Sequence, residues 1–223
     1  MCDGGEERTM EKKFCIFDMD GTLVDSMGYW RQLGKEYLLW KGIREEPADQ
    51  VLKELKVMSI PRAAVLFEQM LGLNLTQEEL VQEMQALMAV HYQNDVRLKP
   101  GVVDYLEKLK ENGCRMCVAT ATPQKLADAC LKNLGIDHYF EFLISCKMIG
   151  VGKDQPDVYL HATKQMGCRP EETAVFEDVL YAAQTAKRAG FYTVAVQDEN
   201  AAHEWEELKT LADEVVTDWA DAK

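Results

Sequence analysis

The chain has 223 residues, of which 47% are hydrophobic and 28% are charged, a balance typical of a globular protein with a sizeable core. Its formal net charge of −13 argues against a nucleic acid or an anionic membrane as a partner, because both need a basic surface. The sequence shows no apolar signal segment and no run of about 18 apolar residues, and its seven cysteines form no disulfide pattern. We therefore expect a cytoplasmic protein, with the oligomeric state, monomer included, left open.

The first predicted element is a strand over 13–18, where a continuous apolar run follows a polar tail over 1–12. The next segment, 27–94, shows helical patterns and no convincing strand. Its predicted helices cover 28–42, 61–72 and 76–92. The last of them begins with a capping-box pattern from Thr76 to Glu79, and the aromatic residues of the first are expected in the core of this segment.

From residue 95 onward, predicted helices and strands alternate. The helices cover 100–113, 123–135, 156–167, 179–190 and 203–212. The strands cover 114–120, 140–145, 173–178, 191–196 and 214–217. This alternation predicts an α/β fold, a doubly wound parallel sheet with helices on both faces. The sheet domain would comprise 13–26 and 95–223, and 27–94 would form an all-helical cap inserted at the carboxyl edge, where such folds bind ligands.

Four separate segments bring polar residues to this edge of the predicted sheet, each following a strand or preceding a helix. They contribute Asp18 and Asp20, Thr120, Lys153, and Glu177 and Asp178. Four carboxylates around one lysine repel one another, since two unit charges about 4 Å apart interact by roughly 4 kcal/mol at an effective dielectric of about 20. A divalent cation would offset the repulsion, and oxygen ligands without histidine or thiolate suit Mg²⁺.

The lysine and the threonine of this set are suited to phosphate oxygens, because an ammonium and a hydroxyl both donate hydrogen bonds. Gly21 would let the backbone approach a ligand closely. Simpler interpretations exist for single residues: Lys153 could lie in solvent, and Thr120 could cap the following helix. The convergence of four segments favours a shared site.

The segment Asp18-Met19-Asp20-Gly21-Thr22 resembles the DxDGT signature of the haloacid dehalogenase-like (HAD) phosphohydrolases. The other three segments follow in the order of that family's remaining motifs. DMDGTLVDS, with a helical insertion directly after it, resembles the β-phosphoglucomutase-like branch with a helical cap. The resemblance covers 13–218 and implies a Rossmann-like catalytic core.

The resemblance also implies roles for these residues. Asp18 would be the nucleophile that forms an aspartyl-phosphate, and Asp20 the general acid and base. Mg²⁺ would be held by Asp18, by the backbone carbonyl of Asp20 and by Asp178. Glu177 would either bind the ion directly or support one of its direct ligands. Thr120 and Lys153 would bind the phosphoryl group and steady Asp18.

Further residues are expected to contact substrate, namely Gly21, Thr22, Ala121 and Arg62. Arg62, at the start of a predicted cap helix, would recognise the distal end of an anionic substrate, with a surface arginine as the alternative. Three positions depart from the usual pattern of the branch, and one of them is Asp154, which stands where the lysine loop often has its first proline. Ala121 stands where Asn or Ser usually follows the second motif, and Val179 stands where Ser usually follows the Glu-Asp pair.

The expected function is hydrolysis of a small, sugar phosphate-like metabolite by a Mg²⁺-dependent phosphomonoesterase. A sugar phosphomutase of the β-phosphoglucomutase type is the alternative, because it shares all four motifs. A signalling receiver domain also has an acid pair, a threonine and a lysine, but it is smaller, carries its phosphorylated aspartate on the third strand and lacks a helical insertion. A dehalogenase needs neither Mg²⁺ nor a second acid such as Asp20, so the group of acids argues against that activity.

Overall fold

The computed structural model describes residues 11–43, 72 and 75–222. The chain divides into two compact units, one formed by Met1–Asp25 with Arg97–Lys223 and the other by Ser26–Val96. The breaks lie one and two residues from the predicted boundaries of the insertion. The predicted helix over 61–72 falls outside the described residues except for Gly72.

Within the described residues, six strands form one sheet in which every neighbouring pair is parallel. The strands are β1 (Phe14–Phe17), β2 (Arg115–Thr120), β3 (Leu143–Ser145), β4 (Thr173–Glu177), β5 (Tyr192–Val196) and β6 (Glu214–Val216). They lie in the order β3-β2-β1-β4-β5-β6. The order reverses beside β1, so the carboxyl ends of β2, β1 and β4 are neighbours at the point where such sheets bind ligands. The predicted doubly wound parallel sheet is confirmed.

The α-helices of the described residues, in chain order, are α1 (Met27–Trp40), α2 (Gln77–Asn94), α3 (Val102–Glu111), α4 (Gln124–Asn133), α5 (Cys146–Ile149), α6 (Asp157–Met166), α7 (Leu180–Arg188) and α8 (Trp205–Leu211). The short α5 was not predicted. None of these helices combines the length and the apolar character needed to cross a membrane.

Both faces of the sheet are covered, because successive side chains of a strand point to opposite sides. Ile16 packs in a buried cluster with Val158 and Ala162 of α6. Its neighbour Phe17 points to the other face and stacks on Phe176, with ring centroids 4.3 Å apart. This explains why β1 is a continuous apolar run rather than an alternating one.

The C-terminal segment completes the second face. Trp219 is buried, stacks on Phe176 and donates from its indole nitrogen to the carbonyl oxygen of Thr22 at 3.3 Å. Gly101, with φ of 82°, lies directly beneath it, and a Cβ atom there would come within 2.6 Å of the backbone nitrogen of Ala220. A side chain at position 101 would therefore displace the segment that supports the loop after β1.

In the helical unit, α1 and α2 pack together through polar contacts. Tyr37 donates to Glu83 at 2.5 Å, and the indole nitrogen of Trp30 donates to the hydroxyl of Tyr92 at 3.1 Å. The capping box predicted at the start of α2 is confirmed. One aromatic prediction was wrong: Trp40 is 57% exposed instead of buried.

Candidate active site

The loop after β1 places the two aspartates. The Asp18 amide donates to the carbonyl of Phe176 at 3.0 Å, which extends the β1–β4 ladder by one residue. The chain then turns at Gly21, whose φ of 84° is in the region that glycine adopts readily. The amides of Leu23 and Val24 both donate to the carbonyl of Met19, at 2.9 and 3.0 Å. This compact loop fixes Asp18 and Asp20 at the carboxyl end of β1.

Lys153 lies between two carboxylates. Its ammonium donates to Asp18 Oδ1 and, at 2.7 Å, to Glu177 Oε1, and all three side chains are buried. Burial alone would lower the pKa of Lys153, but the charges of Asp18 and Glu177 outweigh it and the pKa is raised. Lys153 is therefore a buried cation in the site and not the solvated surface lysine of the alternative interpretation.

A group of three buried carboxylates, Asp18, Glu177 and Asp178, has ligand oxygens that all lie within 4.8 Å of one another. Burial, together with the charges of its neighbours Glu177 and Asp178, raises the pKa of Asp18 well above its usual range, although Lys153 opposes this. Burial, and next the charge of Glu177, raises the pKa of Asp178 to about 7. The site holds more negative charge than its one lysine offsets.

Two oxygens of this group are left without partners. Glu177 Oε2 and Asp178 Oδ2 are buried, and neither has a hydrogen-bond partner among the described residues. Buried carboxylate oxygens without partners are costly unless a cation binds them. The donor set is oxygen only, which suits a hard divalent ion such as Mg²⁺. The residues present therefore fit the ion that the sequence predicts.

Thr22 holds the other oxygen of Asp178. Its hydroxyl, fully buried, donates to Asp178 Oδ1 at 3.1 Å. This hydrogen bond gives the threonine of the first motif a structural role, because it orients a carboxylate of the last motif. A contact between Thr22 and substrate stays a prediction, as does one between Gly21 and substrate.

Asp20 is held by a residue that the sequence analysis did not single out. Thr122 donates from its hydroxyl to Asp20 Oδ2 at 2.7 Å. The Thr122 amide in turn donates to the Thr120 hydroxyl at 3.0 Å, and Ser145 donates to the Thr122 carbonyl at 2.7 Å. Thr120 thus orders the loop after β2 and does not cap α4, whose N-cap is Pro123 without a side-chain hydrogen bond.

Glu204 is a second residue that the sequence analysis did not single out. The departure at Val179 leaves the start of α7 without a side-chain cap of its own. Glu204, from the segment before α8, accepts a hydrogen bond from the Leu180 amide at 3.1 Å. This contact satisfies one of the free amides at the helix start and holds the chain directly after Asp178. A long-range contact of this kind leaves no local pattern in the sequence.

The structure therefore brings together five predicted side chains, those of Asp18, Asp178, Glu177, Lys153 and Thr22. Thr122 links Asp20 and Thr120 to each other, the charge of Asp20 acts on Asp18, and Ala121 lies exposed between the two threonines of the sequence. Arg62 lies outside the described residues.

The sequence model of the haloacid dehalogenase-like hydrolase family matches residues 12–190. The putative phosphatase YhcW of Bacillus subtilis is 29% identical over 192 residues, which are 84% of each chain. The fructose-1-phosphate phosphatase YqaB of Escherichia coli is 29% identical over 82% of this chain and 95% of its own. CbbY of Rhodobacter sphaeroides, solved with phosphate, has the same fold, with a TM-score of 0.76, 21% identity and coverage of 95% of this chain and 96% of its own. The chain belongs to the haloacid dehalogenase-like hydrolase family.

Proposed function

We propose that this protein is a Mg²⁺-dependent phosphomonoesterase that hydrolyses a small phosphorylated metabolite, sugar phosphate-like, through an aspartyl-phosphate. The observation that carries the proposal is the pair of buried oxygens, Glu177 Oε2 and Asp178 Oδ2, beside a lysine-held Asp18. The family membership and relatives named as phosphatases of small compounds support the same conclusion. Mg²⁺, when bound by Asp18, Asp178, Glu177 and the Asp20 carbonyl, would offset negative charge on the transferring phosphoryl group.

Asp18 is the proposed nucleophile. Lys153 donates to its Oδ1, so this oxygen is held and the carboxylate has a fixed orientation. Attack by the carboxylate on phosphorus forms the Asp18–phosphate bond as the bond to the leaving oxygen breaks. The ammonium of Lys153 and the hydroxyl of Thr120 are the proposed donors to the phosphoryl oxygens.

Asp20 is the proposed general acid and base. It protonates the leaving oxygen in the first step, and it then takes a proton from the water that hydrolyses the aspartyl-phosphate. Its carboxylate accepts a hydrogen bond from a neutral group, because the hydroxyl of Thr122 donates to Oδ2. This hydrogen bond limits the rotation of the carboxylate that we assign to proton transfer.

Phosphate release from a panel of phosphorylated metabolites and an aryl phosphate, with Mg²⁺ and with chelator, tests the proposal. We expect turnover that needs Mg²⁺, is abolished in Asp18→Asn and falls by about 10²–10⁴-fold in Asp20→Asn. Asp137→Asn, an exposed aspartate outside the site, is the control. Full activity in chelator would contradict the metal role, and an active Asp18→Asn would contradict the covalent step.

A second incubation separates hydrolysis from the phosphomutase alternative. A mutase must keep water from the aspartyl-phosphate until the sugar returns. Incubation with β-glucose 1-phosphate, a trace of the 1,6-bisphosphate and Mg²⁺ should release free phosphate without isomerisation. Rapid appearance of glucose 6-phosphate with little free phosphate would favour the mutase instead.

A further inference from the structure

Tyr159 is buried beneath the candidate site and has no part in the steps described above. It lies in the first half of α6, the helix that follows the Lys153 loop, and it is fully buried. Helical spacing places it with Ala162 and Met166 on the face that packs against the sheet. Phe191 meets its ring edge-on, with centroids 5.9 Å apart. The packing fixes the ring and therefore the direction of its hydroxyl.

The hydroxyl of Tyr159 donates to Glu177 Oε1 at 2.7 Å. Lys153 donates to the same oxygen, also at 2.7 Å. Two donors therefore occupy Oε1, whereas Oε2 is buried and without a hydrogen-bond partner among the described residues. The two donors together determine which oxygen of Glu177 remains for a cation.

We propose that Tyr159 is a positioning residue for the cation site, which holds the carboxylate of Glu177 so that Oε2 is presented to the ion. The inference rests on the proposed metal-dependent function. Lys153 is less suited to this task, because its ammonium also contacts Asp18 and ends a flexible chain. The tyrosine ring has only two side-chain torsions, and both are restricted by packing.

The variant Tyr159→Phe removes the hydroxyl and keeps the ring in its place. Its Mg²⁺ affinity is measured without substrate by isothermal titration calorimetry, and its Mn²⁺ affinity by electron paramagnetic resonance. We expect affinity to fall about 10–100-fold, the usual effect of losing a partner that orients a metal ligand. Turnover at saturating metal should fall much less, because the hydroxyl is not expected to touch substrate.

Tyr139→Phe is the matched control. Its hydroxyl also donates to a glutamate, Glu107 Oε2, at 2.7 Å, and neither residue belongs to the site. We expect this variant to bind metal like the wild type. A loss of affinity of the same size in both variants would assign the effect to general destabilisation and overturn the proposal.

A double-variant cycle with Glu177→Gln tests the route of the effect. If Tyr159 acts through Glu177, Tyr159→Phe should weaken metal binding in the wild-type background and not in a protein that already carries Glu177→Gln. Additive losses would overturn the proposal, as would a Tyr159→Phe variant that binds Mg²⁺ like the wild type. A wild-type protein that neither binds Mg²⁺ nor hydrolyses phosphate esters would contradict the proposed function itself, and the inference with it.

Discussion

At the scale of single residues, Lys153 is the centre of the site's electrostatics. A buried lysine is unfavourable unless it is paired, and this one contacts two carboxylates, Asp18 and Glu177. It thereby holds the proposed nucleophile and shares Glu177 with Tyr159. Removing it would leave three buried carboxylates without a cation, so we expect Lys153 to matter for stability as well as for turnover.

Thr122 provides a test of how Asp20 is oriented. Thr122→Val keeps the shape of the side chain and removes the hydroxyl that donates to Asp20 Oδ2. A hydrogen bond to a charged group contributes roughly 1.5–3 kcal/mol, so kcat should fall about 10–100-fold with little change in KM. Steady-state kinetics with an aryl phosphate over a range of pH measures the effect.

The control for Thr122 is Thr163→Val. Thr163 is also buried, and its hydroxyl donates to the backbone carbonyl of Leu160 within α6. It should leave kcat and its pH profile unchanged. An unchanged kcat in Thr122→Val would show that the hydrogen bond to Asp20 has no part in proton transfer.

Most of the predicted site residues follow a strand end, whereas Lys153 lies in the loop before α6. An apolar run shows where a buried strand stops, and parallel strands bring their carboxyl ends to one edge. This was sufficient to group Asp18, Glu177 and Asp178. Tyr159 and Thr122 were missed because their hydroxyls reach the site through side-chain direction and packing, which periodicity does not specify.

At the scale of elements, the two described helices of the insertion are joined by a histidine. His91 of α2 contacts Glu36 of α1 through Nε2 at 2.6 Å and Asp95 through Nδ1 at 2.8 Å. Partial burial would lower the pKa of His91, but its hydrogen bonds to the two carboxylates outweigh this and raise it. The protonated form therefore stabilises the pairing of α1 with α2.

The sign of the pH dependence follows from this raised pKa. The stabilisation is complete below the unfolded pKa of about 6.5 and is lost as the pH rises through the higher folded pKa. We expect His91→Gln to lower the unfolding temperature of the helical unit most at about pH 5.5 and least at about pH 9. Circular dichroism melts at several pH values measure this.

His161→Gln is the control for this experiment, because His161 is exposed on α6 in the other unit. Its effect should be small at every pH. A destabilisation by His91→Gln that grows with rising pH would contradict the ion-pair interpretation, since the neutral imidazole would then be the stabilising form.

Element boundaries show what local patterns specify and what they do not. The predicted strand over 140–145 is shorter in the structure, Leu143–Ser145, because only these residues pair with β2. The four-residue α5 was missed because so short a helix has no periodicity, and it ends at Gly150 in the left-handed conformation. The longer helices were predicted within a few residues, because each presents one apolar face to the sheet or to another helix.

At the scale of the whole molecule, we expect the candidate site to lower the stability of the sheet unit when no cation is bound. Buried carboxylates at the ends of β1 and β4 repel one another when no cation is present, and burial, followed by the charge of Glu177, raises the pKa of Asp178. A cation would reverse the balance. The unit that carries the site should therefore respond to Mg²⁺, and the helical unit should respond to the pH effect at His91.

Asp178→Asn tests whether the buried charge of this carboxylate lowers stability when no cation is bound. The amide keeps an oxygen that can accept from Thr22 and removes one buried negative charge. In chelator, we expect the variant to melt at the wild-type temperature or above it. At a hundredfold excess of Mg²⁺ over its Kd, the wild type should gain about 2.7 kcal/mol, or on the order of 5–10 °C for a chain of this size, and the variant much less.

The order of stability of the two proteins should therefore invert between chelator and Mg²⁺, which differential scanning calorimetry of both forms measures. Asp137→Asn, an exposed aspartate, should follow the wild type in both conditions. If Asp178→Asn were less stable than the wild type already in chelator, the carboxylate would be stabilising the sheet unit by itself, and charge repulsion would not be the reason for the buried oxygens without partners. If both proteins gained equally from Mg²⁺, the ion would bind elsewhere.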